Sequence, residues 1–200
     1  MTIKTAQTAA PIHDLLAQRW SPRAFDPQRL LTPDQILALC EAARWAPSSN
    51  NEQPWRLLLC DRARDEASWR TVLGLLNEKN QLWARNAPLL VTVTADSLFT
   101  RNNSPNRWSQ YDAGAAAVSL CLQATALGLA AHQMGGFDGD KARAAFGIPE
   151  RYVPMAMIAV GYPGTLEQLD AQFHASETAV RTRQLLATRF FFGHWGSGEA

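Results

Sequence analysis

The sequence predicts a single mixed α/β domain, a sheet layered between helices, on three observations. Its 200 residues match one domain, and 46% hydrophobic against 18% charged residues supplies a core and too little charge for a disordered chain. Short apolar or β-branched runs alternate with stretches of helical period. Finally, Tyr111–Leu129 carries alanine and leucine all the way round a helix, which must therefore be covered on every side. In a chain of this length, that cover implies another subunit.

In chain order, Pro11–Arg19 sets Ile12, Leu15 and Leu16 at helical spacing, and a loop over Trp20–Leu31 holds two prolines. Thr32-Pro33-Asp34-Gln35 joins a Thr cap, Pro at the first helical position and Gln for the return contact of a capping box. The helix it opens buries Ile36, Leu39, Cys40 and Ala43 and ends at Pro47. Trp55–Cys60 reads as a strand, Glu66–Leu76 as a helix and Leu89–Thr94 as a buried strand. Ser97–Gln110 has no period and reads as a binding loop or lid. Ala130–Met134 and Met155–Val160 read as strands, with a helix over Gly139–Phe146 capped by Asp138. The tail from Gly164 to Ala200 lacks a stable period yet carries Phe190, Phe191, Phe192 and Trp195, which must pack on something. Trp45, Trp69, Phe146 and Cys121 are expected in the core, and His132 as a hydrogen-bonded structural histidine.

A net charge of +1 gives no reason to expect nucleic acid or an anionic membrane as partner. The longest apolar runs, Pro88–Ala95 and Val153–Val160, fall far short of the ~20 residues that span a bilayer. Met1–Ala10 shows no signal pattern, and three widely spaced cysteines (Cys40, Cys60, Cys121) argue against a disulfide framework. A cytoplasmic protein is expected. The histidines at 13, 132, 174 and 194 lack metal-ligand spacing, and no nucleophile elbow, phosphate loop or Gly-x-Gly-x-x-Gly turn occurs.

Three segments mix fixed polar groups with Pro or Gly. In Arg19-Trp20-Ser21-Pro22-Arg23, two forked guanidiniums and a hydroxyl suit a phosphate; taken alone, the segment reads more readily as a solvated helix end. Ala46-Pro47-Ser48-Ser49-Asn50-Asn51-Glu52-Gln53-Pro54-Trp55 is a rigid loop dense in donors and acceptors, more than a capping turn needs. Arg181-Thr182-Arg183 is by itself an ordinary surface pair.

Taken in order, these segments resemble the nitroreductase family of FMN-dependent NAD(P)H oxidoreductases. RWSPR looks like its Arg-x-Ser-x-Arg/Lys element and APSSNNEQPW its Pro-Ser-Ser-x-Asn-x-Gln-Pro-Trp element. YDAGAAAVSLCLQATALGL is similar to its central helix, GGFD to its glycine turn, AVGYP to its last core strand and RTR to its C-terminal basic pair. The resemblance implies a three-layer sandwich with a mixed, mostly antiparallel sheet, in a domain-swapped homodimer with two FMN sites at the interface. It implies one domain over 1–200, with a flexible N-terminus (1–10), an active-site lid (97–110) and a C-terminal extension (165–200) on the partner.

By the same resemblance, Arg19, Ser21, Arg181 and Arg183 would bind the FMN phosphate and ribityl region, with Arg23 toward the N1–C2=O edge. Ser48, Ser49 and Asn51 would reach the flavin of the other subunit. Asn80 looks like the asparagine facing the pyrimidine edge, with Asn77 as the nearby alternative. Gly135 and Gly136 would offer N–H groups near N5. Trp20, Pro47, Gln53, Gln133 and Met134 complete the implied cofactor shell. Gln133 stands where proline is common and Gly135 where some relatives are acidic; backbone donation survives both changes. A guanidinium beside N1–C2=O would stabilise the reduced flavin, so no side-chain nucleophile or base is required. The expected reaction moves two electrons from NAD(P)H through FMN to a nitroaromatic, quinone or similar acceptor by ping-pong kinetics. Phe99, Trp108 and Phe137 would wall the aromatic acceptor, or else close the core under a lid. The alternatives are a non-catalytic flavin binder and a relative with dehydrogenase or dehalogenase chemistry.

Overall fold

The computed structural model describes residues 4–198. Four strands, β1 (Trp55–Asp61), β2 (Leu89–Asp96), β3 (Ala130–Met134) and β4 (Tyr152–Gly161), form one sheet in the order β1-β2-β4-β3. Every pairing among the described residues is antiparallel, and a register shift between Val93 and Thr94 interrupts β2 against β4. β2 is buried along its whole length, because the sheet is covered on both faces.

Period-2 alternation divides the core. Leu89, Val91, Val93 and Ala95 turn toward α2 (Pro33–Arg44) and α5 (Ser109–Ala126), where Leu39, Ala43, Ala113, Ala117 and Leu120 meet them. On the other face, Cys60, Leu90, Met157 and Ala159 pack with α3 (Glu66–Leu75), α4 (Glu78–Ala84) and α6 (Gly139–Phe146) through Trp69, Val72, Trp83 and Ala142. The result is the three-layer sandwich. No described helix is long and apolar enough to cross a membrane.

The expected starts hold. The Thr32 hydroxyl accepts from Gln35 N–H and the Gln35 side chain accepts from Thr32 N–H, and Asp138 caps α6 at Lys141. α1 is shorter than its pattern, Asp14–Gln18, with His13 as its cap. α5 stops at Ala126 rather than Leu129, because Gly128 adopts a left-handed φ of 69° and Leu129 turns back into β3. α4 was not expected; Asn77 initiates it by accepting from Asn80 N–H at 2.8 Å.

Trp45 corrects one expectation. It lies just beyond the apolar stripe of α2 as the helix's C-cap and is 77% exposed, with the Arg44 guanidinium 5.4 Å from its ring. Trp69 and Cys121 are buried and Phe146 partly so. Of the N-terminal ten residues, 1–3 lie outside the described residues, and 4–10 are irregular but tethered, with Ala6 N–H donating to Ala17 O at 2.9 Å. In the tail, of which 199–200 lie outside the described residues, Leu185, Phe190, Phe192 and Trp195 stand exposed.

Candidate functional site

Arg19 follows the last turn of α1, its N–H bonded to Leu15 O at 3.0 Å, so its side chain leaves the helix end. The chain returns to the same place after α7 (His174–Thr178). There the Arg181 guanidinium donates through Nη1 to Lys4 O and Ala17 O, both at 2.6 Å, and through Nη2 to Arg19 O at 3.0 Å. Arg181 therefore staples three backbone segments around a cleft of about 240 Å³ lined by Arg19, Arg181, Arg183, Thr8 and Leu16. Burial lowers the affinity of Arg181 for its proton, and the charges of Arg19 and Arg183 lower it further. No described carboxylate forms an ion pair with any of the three. The cleft thus holds concentrated positive charge without a counter-charge, an arrangement that a bound anion relieves.

Beyond Arg19 the chain passes through half-buried Ser21 without regular structure. The buried Glu177 carboxylate accepts from Arg23 N–H at 2.9 and 3.0 Å and from Ala24 N–H at 3.1 Å, fixing this turn. The Arg23 side chain extends over the Phe173 ring, 5.9 Å away, toward Ser176 Oγ. His132 on β3 meets Pro22 O at 2.9 Å through Nδ1 and lies 4.5 Å from the Trp83 ring, tilted 38° to it. Burial pushes its pKa down to about 4; the bond to Pro22 opposes that, while Arg23 adds to it. The ring is therefore neutral near pH 7 and Nδ1–H donates. Beside it, the exposed Gln133 donates to the buried Cys121 Sγ at 3.5 Å, and Met134 is buried. Burial raises the Cys121 thiol.

The glycine turn continues this cluster. Gly136 O accepts from Asn77 N–H at 2.9 Å and from Asn80 Nδ2 at 3.3 Å, so Asn80 is drawn to Gly135–Gly136. Asn77 Oδ1 is engaged as the α4 cap, whereas Asn80 Oδ1 has no partner among the described residues. A Cβ at Gly136 would stand 2.1 Å from Asn77 Nδ2, so a larger residue there would displace the side chain that caps α4. Phe137 is half-buried and bridges to Leu76.

A second cluster lies elsewhere. After Pro47, Ser48 Oγ accepts from Gln53 N–H at 3.0 Å, and Gln53 Nε2 donates to Asn51 O at 3.1 Å. Ser49 N–H donates at 3.1 Å to the carboxylate of Asp112, buried in the first turn of α5. Asn50, Asn51 and Gln53 hold left-handed φ of 55°, 55° and 50°, a costly conformation for residues with a Cβ. Glu52 accepts from Thr100 N–H at 2.5 Å, which ties this loop to the one holding Phe99 and Trp108; Trp108 is 45% exposed under Arg107.

The structure brings Arg19, Arg181 and Arg183 into one cleft, sets Asn80 against the Gly135–Gly136 turn, and ties the Ser21–Arg23 segment to β3, which carries Gln133, through His132 and Pro22. It does not bring Ser48, Ser49, Asn51, Gln53, Phe99 or Trp108 into the cleft. The serine–asparagine loop enters β1 and Gln133 sits on β3, three strand spacings or ~14 Å across the sheet, and the register offsets them further along the strands, Trp55 being level with Val153 and Gln133 with Ile158. Sequence reasoning missed Glu177 and Asp112, whose partners lie 154 and 63 residues away with no local signal.

The chain is 36% identical over 135 residues to an uncharacterized 15.4 kDa protein of Mycolicibacterium smegmatis, covering 68% of this chain and 88% of that one. It is 24% identical to the oxygen-insensitive NAD(P)H nitroreductase of Salmonella typhimurium, covering 82% and 94%. A crystal structure of an oxidoreductase containing FMN superposes with a TM-score of 0.90 at 33% identity, covering 98% of this chain and 99% of that one. The Nitroreductase family model matches residues 16–162, so the chain belongs to the nitroreductase family.

Proposed function

We propose that this protein is an FMN-dependent oxidoreductase that takes electrons from NADH or NADPH and delivers them to a small aromatic acceptor, a nitroaromatic or quinone. The carrying observation is the cleft in which Arg19, Arg181 and Arg183 converge with no described carboxylate to neutralise them. A phosphate monoester supplies that counter-charge, and Ser21 adds a neutral donor on the adjoining turn. Asn80 and the Gly135–Gly136 turn have the donors and acceptors to face a pyrimidine edge, so the residues present fit FMN. When bound, FMN would supply the two-electron chemistry that links the nicotinamide to the acceptor, for which ping-pong kinetics are the expected outcome.

The residues of this chain bind and orient. Glu177 and His132 both hold the Ser21–Ala24 segment, which fixes the backbone that carries Arg23. Arg23 would stabilise negative charge on a reduced ring, and the Ser48–Gln53 loop would complete the site of a second protomer. Phe99 and Trp108 travel with that loop, so they would wall the partner's acceptor pocket, opposite Phe137 of the flavin-holding chain. The free thiols Cys40, Cys60 and Cys121 suit a cytoplasmic protein.

The purified protein should be yellow and should bleach anaerobically when NADH or NADPH is added; colour that persists would favour a flavin carrier without turnover. Arg19→Ala with Arg183→Ala should weaken FMN binding at least 100-fold, since two charge-assisted contacts are lost at ~1.5–3 kcal/mol each. Equilibrium dialysis checks this, and unchanged retention would remove the phosphate assignment.

A further inference from the structure

We infer that residues 4–8 form a strap across the cationic cleft, and that Gln7 and Thr8 on it help bind the phosphate of the cofactor and slow its release. The inference rests on the FMN reading above and extends it to a segment outside residues 16–162, where the family likeness runs.

Gln7 and Thr8 line the same cleft as Arg19, Arg181 and Arg183, with Ile12 and Leu16 as its apolar side. The strap is anchored just ahead of them at two points. Lys4 O accepts from Arg181 Nη1 at 2.6 Å, and Ala6 N–H donates to Ala17 O at 2.9 Å. Lys4 is held further by Nζ, which donates to Glu177 O at 2.8 Å and stands 4.5 Å from the Trp20 ring. The same Arg181 guanidinium binds Ala17 O and Arg19 O, so strap, helix end and Arg19 are one unit. A phosphate there meets guanidiniums on one side and, on the strap, an amide and a hydroxyl able to donate neutral hydrogen bonds. Leaving requires it to pass the strap or lift it.

Riboflavin, which lacks the phosphate, separates this role from a merely structural one. FMN and riboflavin release from the holoprotein is followed by recovery of flavin fluorescence after dilution. Gln7→Ala combined with Thr8→Val should speed FMN release about tenfold, the value of two modest hydrogen bonds, and leave riboflavin release unchanged. Ala6→Pro, which removes the strap's N–H anchor, should do the same; the double variant keeps the test open should this one fail to fold. FMN release within twofold of wild type in the folded variants, or equal acceleration of both flavins, overturns the strap. A wild-type protein that holds FMN no better than riboflavin overturns the phosphate reading together with the strap.

Discussion

His132 is neutral because the fold surrounds it with Trp83 and sheet on one side and Arg19 and Arg23 on the other. Its folded pKa of about 4 lies below the ordinary 6.5, so the unfolded chain takes up its proton first as the pH falls. The associated stability is complete above pH 6.5 and is lost progressively down to about pH 4, on the order of 3 kcal/mol in all. Urea denaturation of wild type and His132→Gln at pH 7 and pH 4.5 should show the variant losing less stability on acidification by roughly that amount. Equal losses would mean that the ring is solvated. The same imidazole carries Pro22, so the variant should also loosen the turn bearing Ser21 and Arg23 and weaken flavin retention.

Between residues and fold lie the elements, and the Ser48–Gln53 loop is the most demanding. Three left-handed non-glycine residues persist only where the surroundings overdetermine them, here through Ser48 Oγ, Gln53 Nε2 and the Asp112 carboxylate. Asp112→Ala should lower stability by ~1–3 kcal/mol, because Ser49 N–H loses its acceptor, and should reduce flavin content in the same preparation. Full flavin content with that stability loss would confine Asp112 to folding. Elements with local signals were legible in the sequence: the Thr32–Gln35 box, the Asp138 cap and the β-branched β2 all emerge where their residues place them. α4 was not, since its apolar residues are Leu82 and Trp83 near its end and its start depends on one asparagine side chain. Asp112 and Glu177 were illegible for another reason. Each looks like a surface carboxylate until tertiary folding buries it against backbone N–H groups. Arg181 matched a binding motif, yet its staple of three carbonyls shows in no sequence pattern.

On the scale of the whole molecule, apolar surface is left over. Leu37 and Trp45 line a shallow groove on the outer face of α2 against Gln123 of α5, and Tyr111 and Val118 stand exposed on α5. With the aromatic tail, these are surfaces that the homodimer implied by the family resemblance would cover. Wild type should sediment as a dimer; Leu37→Asp with Trp45→Glu should shift it toward monomer and cost it flavin together. A monomeric variant that keeps its yellow colour would place the whole site in one chain. The separate placement of the serine–asparagine loop, at the start of β1, and the arginine cleft, which that loop does not line, then carries a thermodynamic consequence. Where each half-site must borrow its complement from another protomer, assembly and ligation obey mass action jointly: serial dilution should strip the chromophore, and excess mononucleotide should drive separated protomers back into association.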